Sequence, residues 1–394
     1  MSDYVERFEQ LGFGMFVHFG LYSVYGKGEW AKKYYGIPYR EYDKLLPRFK
    51  VCKNWAKELV KTAKRAGASY ITLTTRHHDG FSLYDTCGLS DYDAPHSAAG
   101  RDLVREFVDA CNEGGIVPFF YHTLLDWHHP AYSANFPEYI HYLVSSIEIL
   151  CTRYGRIGGL WFDGMWDKPD ADWQEDRIYG TIRKLQPEAM IINNTGLSAQ
   201  GKVGHPALDS VTFERGKPCF VDNSDRHRAG EMCQVLNDHW GYARGDCNYK
   251  PVAELIRNLV ECRKFGCNFL LNTGPRGNGM VNSTDKALLL ELGKWVHGNK
   301  CFFHDARPCA IPAENALLLQ GKDCIYAVSE APMSADPNVA LGGEKLRVRI
   351  GAEIAEGRWL DNGKPIEVQE NSYPIEPFAY GTSMVMRVAK LKLK

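Results

Sequence analysis

From residue 13 onward, short apolar runs alternate with stretches whose apolar residues recur at helical spacing, and this alternation restricts the possible folds more than any other feature of the chain. Gly14-Met15-Phe16-Val17-His18-Phe19 reads as a first strand. A helix over 55–66 puts Trp55, Leu59, Val60 and Ala63 on one face and stops at Gly67, and Tyr70-Ile71-Thr72-Leu73-Thr74 follows as the second strand. A helix over 102–113 ends at Gly114-Gly115 and hands over to Ile116-Val117-Pro118-Phe119-Phe120-Tyr121. Pro137 opens the next helix, and the fourth run is Gly159-Leu160-Trp161-Phe162-Asp163-Gly164. A helix near 174–185 leads to Met190-Ile191-Ile192-Asn193, 196–204 reads as loop, and Ser210-Val211-Thr212-Phe213-Glu214 is a sixth strand. A seventh is expected within Met232–Trp240. Pro251 opens a helix before Cys267-Asn268-Phe269-Leu270-Leu271-Asn272, and a last helix runs from Thr284 to Val296. Eight strands within 13–298 predict an α/β fold, a (β/α)8-like barrel, close to the roughly 250 residues typical of such barrels.

After His304 the pattern changes to short strands broken by Gly, Pro and Asn, such as Cys324-Ile325-Tyr326-Ala327-Val328 and Met384-Val385-Met386-Arg387-Val388. A barrel over 1–304 and an antiparallel β domain over 305–394 are therefore expected. The formal net charge of −1 over 394 residues offers no basic surface for nucleic acid or an anionic membrane. The charged N-terminal stretch, Asp3-Tyr4-Val5-Glu6-Arg7, lacks the apolar core of a signal peptide, which predicts a cytoplasmic protein. The 12 cysteines are scattered with no CxxC pair, so free thiols are expected, with neither disulfides nor zinc.

A barrel carries its chemistry where the strands end. The polar residues there are His18, His77, His78, Tyr121, Asp163, Glu214 and Asn272, and the loops add Trp30, Trp127, Trp166 and Trp240. Hydrogen-bonding groups mixed with aromatic faces suit a hydroxyl-rich ligand with an apolar side, that is, a sugar. Two carboxylates on different strands, Asp163 and Glu214, could share the work of glycoside cleavage. Asn272 is expected to hold the Gly274-Pro275 turn. Successive residues leaving a strand point to opposite sides, which argues against His77 and His78 jointly holding a metal.

Several runs also match a known family in order along the barrel. Met15-Phe16-Val17-His18-Phe19-Gly20, Gly28-Glu29-Trp30, Arg76-His77-His78-Asp79-Gly80-Phe81, Leu125-Asp126-Trp127, Leu160-Trp161-Phe162-Asp163-Gly164 and Asn268-Phe269-Leu270-Leu271-Asn272-Thr273-Gly274-Pro275 closely resemble the α-L-fucosidases of glycoside hydrolase family 29. The resemblance implies a retaining exo-hydrolase that removes terminal α-L-fucose from fucosylated glycans without metal or other cofactor, and a C-terminal β-sandwich. Carried over position by position, it makes Asp163 the nucleophile and places His18, Glu29, Trp30, His77, His78, Tyr121 and Trp161 in the fucose pocket. The family's acid/base Glu is less firmly anchored by motif. Glu214 is assigned because it ends a strand after the nucleophile, with Glu231 and Asp238 as fallback acids. Rival readings are a retaining glycosidase of another sugar, a metal-dependent sugar isomerase and a lectin-like binding module. Linkage preference is left open, because loops such as 127–136, 166–172 and 219–243 build the leaving-group side; the balance of hydrolysis and transfer to an acceptor sugar and the oligomeric state are left open as well.

Overall fold

The computed structural model describes residues 3–334 and 345–394. Eight strands pair in chain order into one closed parallel barrel: β1 (Phe13–Val17), β2 (Tyr70–Arg76), β3 (Val117–Thr123), β4 (Gly159–Asp163), β5 (Met190–Asn193), β6 (Ser210–Glu214), β7 (Ala229–Val235) and β8 (Asn268–Thr273), with β8 returning to β1. The strands are apolar nearly throughout because parallel strands are covered on both faces, by helices outside and by one another's side chains inside. Phe16, Tyr70, Phe119, Tyr121, Trp161, Met190, Ile192 and Leu270 fill the interior. Helix Tyr4–Glu9 adds Val5 and Phe8 to this cluster, the Phe8 ring lying 5.6 Å from Tyr70 and 5.5 Å from Phe119. Fully burying each such side chain contributes roughly 1.5–3 kcal/mol, so the interior is a packed floor beneath the strand ends.

Six helices flank the barrel: Trp55–Ala66, Leu103–Gly114, Phe136–Arg153, Glu175–Leu185, Val252–Lys264 and Ser283–Gly298. No helix links β5 to β6 or β6 to β7, where 194–209 and 215–228 lack helical periodicity and carry Gly196, Gly201, Gly204, Pro206, Gly216 and Pro218. The β5–β6 seam is correspondingly thin, paired at Ile192 and Ser210.

The seventh strand departs from expectation. It spans Ala229–Val235 rather than lying within Met232–Trp240. Its first residues, Ala229-Gly230-Glu231, give little apolar signal, and burial of Glu231 is stabilised only by tertiary partners, the Tyr70 hydroxyl and the Trp161 indole N–H. Residues 236–240 instead form loop.

Beyond helix Lys300–Asp305, eight short strands among the described residues build two antiparallel sheets. They are β9 (Arg307–Pro308), β10 (Ala313–Glu314), β11 (Leu317–Gln320), β12 (Ile325–Glu330), β13 (Arg347–Ile350), β14 (Ile354–Trp359), β15 (Ser372–Pro374) and β16 (Met386–Leu393). Sheet β14-β16-β12-β11-β9 and sheet β10-β13-β15 enclose Leu318, Ile325, Val348, Ile350, Trp359 and Tyr373, which makes a sandwich. Tyr326, Val328 and Val388 join the barrel-side core, and the Trp295 indole N–H donates to the Met386 carbonyl at 2.8 Å.

Candidate active site

Polar side chains at the C-terminal ends of the barrel strands converge on one cavity of about 940 Å³. The two acids and the seven residues assigned to the sugar pocket all line it: His18, Glu29, Trp30, His77, His78, Tyr121, Trp161, Asp163 and Glu214.

Asp163 ends β4, and Gly164 turns the chain away at φ +97°, where a Cβ would meet Leu125 Cβ at 2.6 Å. The Asp-Gly pair is therefore required by packing as well as by the turn. Tyr121 donates its hydroxyl to Asp163 Oδ2 at 3.1 Å, and His78 Nε2 faces the same oxygen at 3.5 Å. Oδ1 receives the Trp166 indole N–H at 3.0 Å and Asn194 Nδ2 at 3.2 Å. Burial alone would raise the Asp163 pKa, but the neighbouring His78 ring and the donors Trp166 and Tyr121 outweigh it and hold the carboxyl below its usual range.

Glu214 ends β6 and has the opposite environment. Burial pushes its pKa up, and the charge of Asp163 pushes it further; the bond from Asn194 and the charge of Arg215 oppose this without cancelling it. One nitrogen atom serves both acids, since Asn194 Nδ2 also donates to Glu214 Oε2 at 2.7 Å. Asn194 Oδ1 accepts from Thr212 Oγ1 at 3.0 Å and from the Gly196 N–H at 3.2 Å, which leaves the amide nitrogen only the carboxylate side. Oxygens 3.2 and 2.7 Å from one nitrogen are under about 6 Å apart, which is the range of a nucleophile and acid/base pair rather than the wider one that admits a water between them.

The imidazoles are oriented by their second nitrogens. Asn272 donates Nδ2 to the Trp240 carbonyl at 2.7 Å, so its Oδ1, 2.7 Å from His18 Nδ1, accepts from that ring. His18 Nε2 is thereby left as an acceptor, and burial, the dominant cause, lowers the His18 pKa to about 3, keeping the ring neutral. Asn272 thus positions a site histidine instead of holding the Gly274-Pro275 turn, a role its own sequence neighbourhood does not reveal. Thr123 donates its hydroxyl to the Leu125 carbonyl and so receives the proton of His78 Nδ1, 2.7 Å away. His77 stacks on Tyr121 at 5.6 Å and 14°, and burial depresses its pKa well below the usual value.

The expectation that His77 and His78 diverge is not met, because both rings face the cavity with centroids 4.2 Å apart. Strand β2 ends at Arg76, its register to β3 shifts after Thr74, and the Gly80 N–H closes a turn onto the His77 carbonyl, so strand alternation no longer operates there. Among the described residues, no three His, Cys, Asp or Glu side chains form a metal-type cluster.

The remaining wall is aromatic. Trp161 stacks on Tyr121 at 5.7 Å and 22° and anchors its N–H on Glu231. Trp30 lies against Trp166 at 6.0 Å and 22°. Trp240 packs on His18, whereas Trp127 stands behind Trp30 and His78 without lining the cavity. Glu29 accepts the Gly241 N–H at 2.7 Å, tying the β1 loop to the loop after β7. Of the fallback acids, Glu231 is buried in the barrel interior and does not line the cavity, while Asp238 lies exposed at its mouth. Arg215 does not pair with the Glu214 carboxylate: from a left-handed backbone (φ +51°) it donates to the Asp238 carbonyl and lies over Trp240.

The α-L-fucosidase family model matches residues 2–300. The chain belongs to the α-L-fucosidase family. It is 26% identical over 337 residues to the tissue α-L-fucosidase of Rattus norvegicus, covering 78% of this chain and 71% of that protein. Among solved structures, α-L-fucosidase isoenzyme 1 from Paenibacillus thiaminolyticus superposes with a TM-score of 0.83 at 28% identity over 99% of both chains. A GH29 α-L-fucosidase from Bacteroides thetaiotaomicron, trapped as a covalent intermediate with 2-fluoro-fucosyl fluoride, shares the fold at a TM-score of 0.83 and 24% identity, covering 100% of this chain and 97% of that one. Beside the motifs of this α-L-fucosidase family, Asn194 is the site residue that sequence reasoning missed. Its only signal is a polar side chain just past β5, a strand end to which no site residue had been assigned.

Proposed function

We propose that this α-L-fucosidase-family hydrolase is a retaining exo-enzyme that removes terminal α-L-fucose from fucosylated glycans through a covalent fucosyl-enzyme intermediate. The observation that carries the reading is the single Asn194 amide nitrogen within hydrogen-bond distance of both Asp163 and Glu214, a spacing suited to direct attack by one of them. The opposed pKa shifts support the division of labour. Asp163, whose carboxylate form is favoured, attacks the anomeric carbon while Glu214, whose protonated form is favoured relative to an ordinary carboxyl, delivers its proton to the departing glycosidic oxygen. Once Asp163 is esterified its charge is gone, and with it part of what raised Glu214. Glu214 can then take a proton from water, whose oxygen attacks the same carbon and releases Asp163. His18 Nε2 is suited to accept a hydroxyl proton of the sugar, and the Trp161 and Tyr121 rings suit its apolar methyl side. Proton NMR of a fresh digest tests the stereochemistry. α-L-Fucose is expected as the first product, mutarotating later, and β-L-fucose appearing first would overturn the retaining reading.

Asn194 should also set the pH profile. Without it, Asp163 and Glu214 each lose a donor that favours the charged form, so both pKa values rise. The acid limb of kcat/KM reports ionisation of Asp163 and the basic limb loss of the Glu214 proton. In Asn194→Ala both limbs should therefore move to higher pH, by about one unit. An aryl α-L-fucoside assayed across pH checks this, and a profile lowered without displacement would make Asn194 merely structural.

A further inference from the structure

Among the described residues ten large hydrophobic side chains are exposed, and four of them, Tyr34 (82%), Tyr35 (60%), Leu197 (65%) and Trp166 (41%), line the one cavity that holds the two acids. Scattered single exposed hydrophobics need no explanation, but a group gathered at one mouth from three separate loops marks a binding surface. The loops are the one after β1, ending helix Ala31–Tyr34, the short turn Met165–Asp167 after β4, and the helix-less connection after β5. The group is held in place. Trp166 stacks on Trp30, the Lys27 ammonium sits 4.8 Å over the Tyr35 ring, and Gly196, next to Leu197 in the chain and at φ +81°, has its Cβ position 3.3 Å from Trp166 Cδ1.

The cavity, about 940 Å³, lies at the upper end of the roughly 300–1,000 Å³ typical of sites for drug-sized ligands, more than one six-membered sugar fills. Lys27, Arg215, Asp238 and His239 also line it, a lining of mixed charge. An apolar platform accompanied by hydrogen-bonding groups of both signs matches a neutral pyranose, which has an apolar C–H face and a hydroxylated edge.

We propose that Tyr34, Tyr35, Trp166 and Leu197 form a platform for the sugar ring that leaves, a second subsite adjoining the fucose pocket that selects neutral glycans over simple fucosides. The proposal rests on the fucosidase reading above. Because Trp166 also donates its N–H to Asp163, a ring seated on the platform presses on the residue that orients the nucleophile. The same platform receives an acceptor sugar once the fucosyl-enzyme has formed, which favours transfer over hydrolysis.

Tyr34→Ala combined with Leu197→Ala removes part of the platform without touching either acid. The test compares α-L-fucosyl fluoride, whose leaving atom is too small to reach the platform, with fucosyl disaccharides of α-1,2, α-1,3, α-1,4 and α-1,6 linkage. The double variant should keep wild-type kcat/KM on the fluoride and lose roughly five- to twentyfold on the best disaccharide, mainly through KM. Its transfer-to-hydrolysis ratio with added lactose should fall as well. Equal kcat/KM changes on fluoride and disaccharide would overturn the platform. A variant that loses self-association on sizing with the disaccharide preference intact would overturn it too, assigning the patch to contact between copies. Wild-type enzyme inert towards fucosyl fluoride, by contrast, would overturn the fucosidase reading itself.

Discussion

Replacing Asp163 with glycine is expected to lower turnover of an aryl α-L-fucoside at least about a thousandfold, since loss of a nucleophile removes the covalent path as a whole. Substrate affinity should change far less, because His18, His77 and Trp161 remain in place around the cavity. Added azide should restore some turnover on an activated fucoside by entering the space vacated beneath the anomeric carbon, and the product should be β-L-fucosyl azide, of inverted configuration. The donors freed from Asp163 (Tyr121, Trp166 and Asn194) line or border an open cavity, so water can satisfy them and the variant should fold. Near-normal turnover in a folded Asp163→Gly protein would remove Asp163 from the nucleophile's role.

The second large effect is expected at Glu214, and it should depend on the leaving group. Glu214→Ala deprives a departing sugar of its proton, so kcat/KM on fucosyl disaccharides should fall by about 10²–10⁴. Fucosides with acidic phenol or fluoride leaving groups need little protonation and should lose much less at this step. Their fucosyl-enzyme then accumulates for want of a base, and azide should release it as α-L-fucosyl azide. The azide anomers from the two variants, β from Asp163→Gly and α from Glu214→Ala, thus assign the two roles independently. Uniform losses on every substrate with no rescue would reject Glu214 and leave Asp238 at the cavity mouth as the acid to test.

The barrel strands and Asp163 at the end of the fourth were legible in the chain because their signals are local. A parallel strand buried on both faces is apolar residue after residue, and its end is marked by the first polar side chain, as at Trp161-Phe162-Asp163-Gly164. Strand β7 was misplaced because what stabilises it is not local: Glu231 sits in its middle, and only the Tyr70 and Trp161 donors make that burial affordable. The same contacts explain why Glu231 could not be told from Glu214 by type. In the barrel register Glu214 pairs with Cys233, so Glu231 lies two residues, about 7 Å, deeper, behind the Trp161 wall.

The sequence by itself determined the alternation of strand and helix, the family and the set of polar residues at the strand ends, because periodicity and motif depend on neighbours along the chain. Only the tertiary structure decided how those residues act on one another. That His77 and His78 face the same cavity, that Asn272 orients His18, and that one Asn194 nitrogen serves two carboxylates are consequences of closing the barrel. Closure brings residues far apart in the chain within hydrogen-bond distance, and electrostatic environment, which sets Asp163 low and Glu214 high, is a property of that distance.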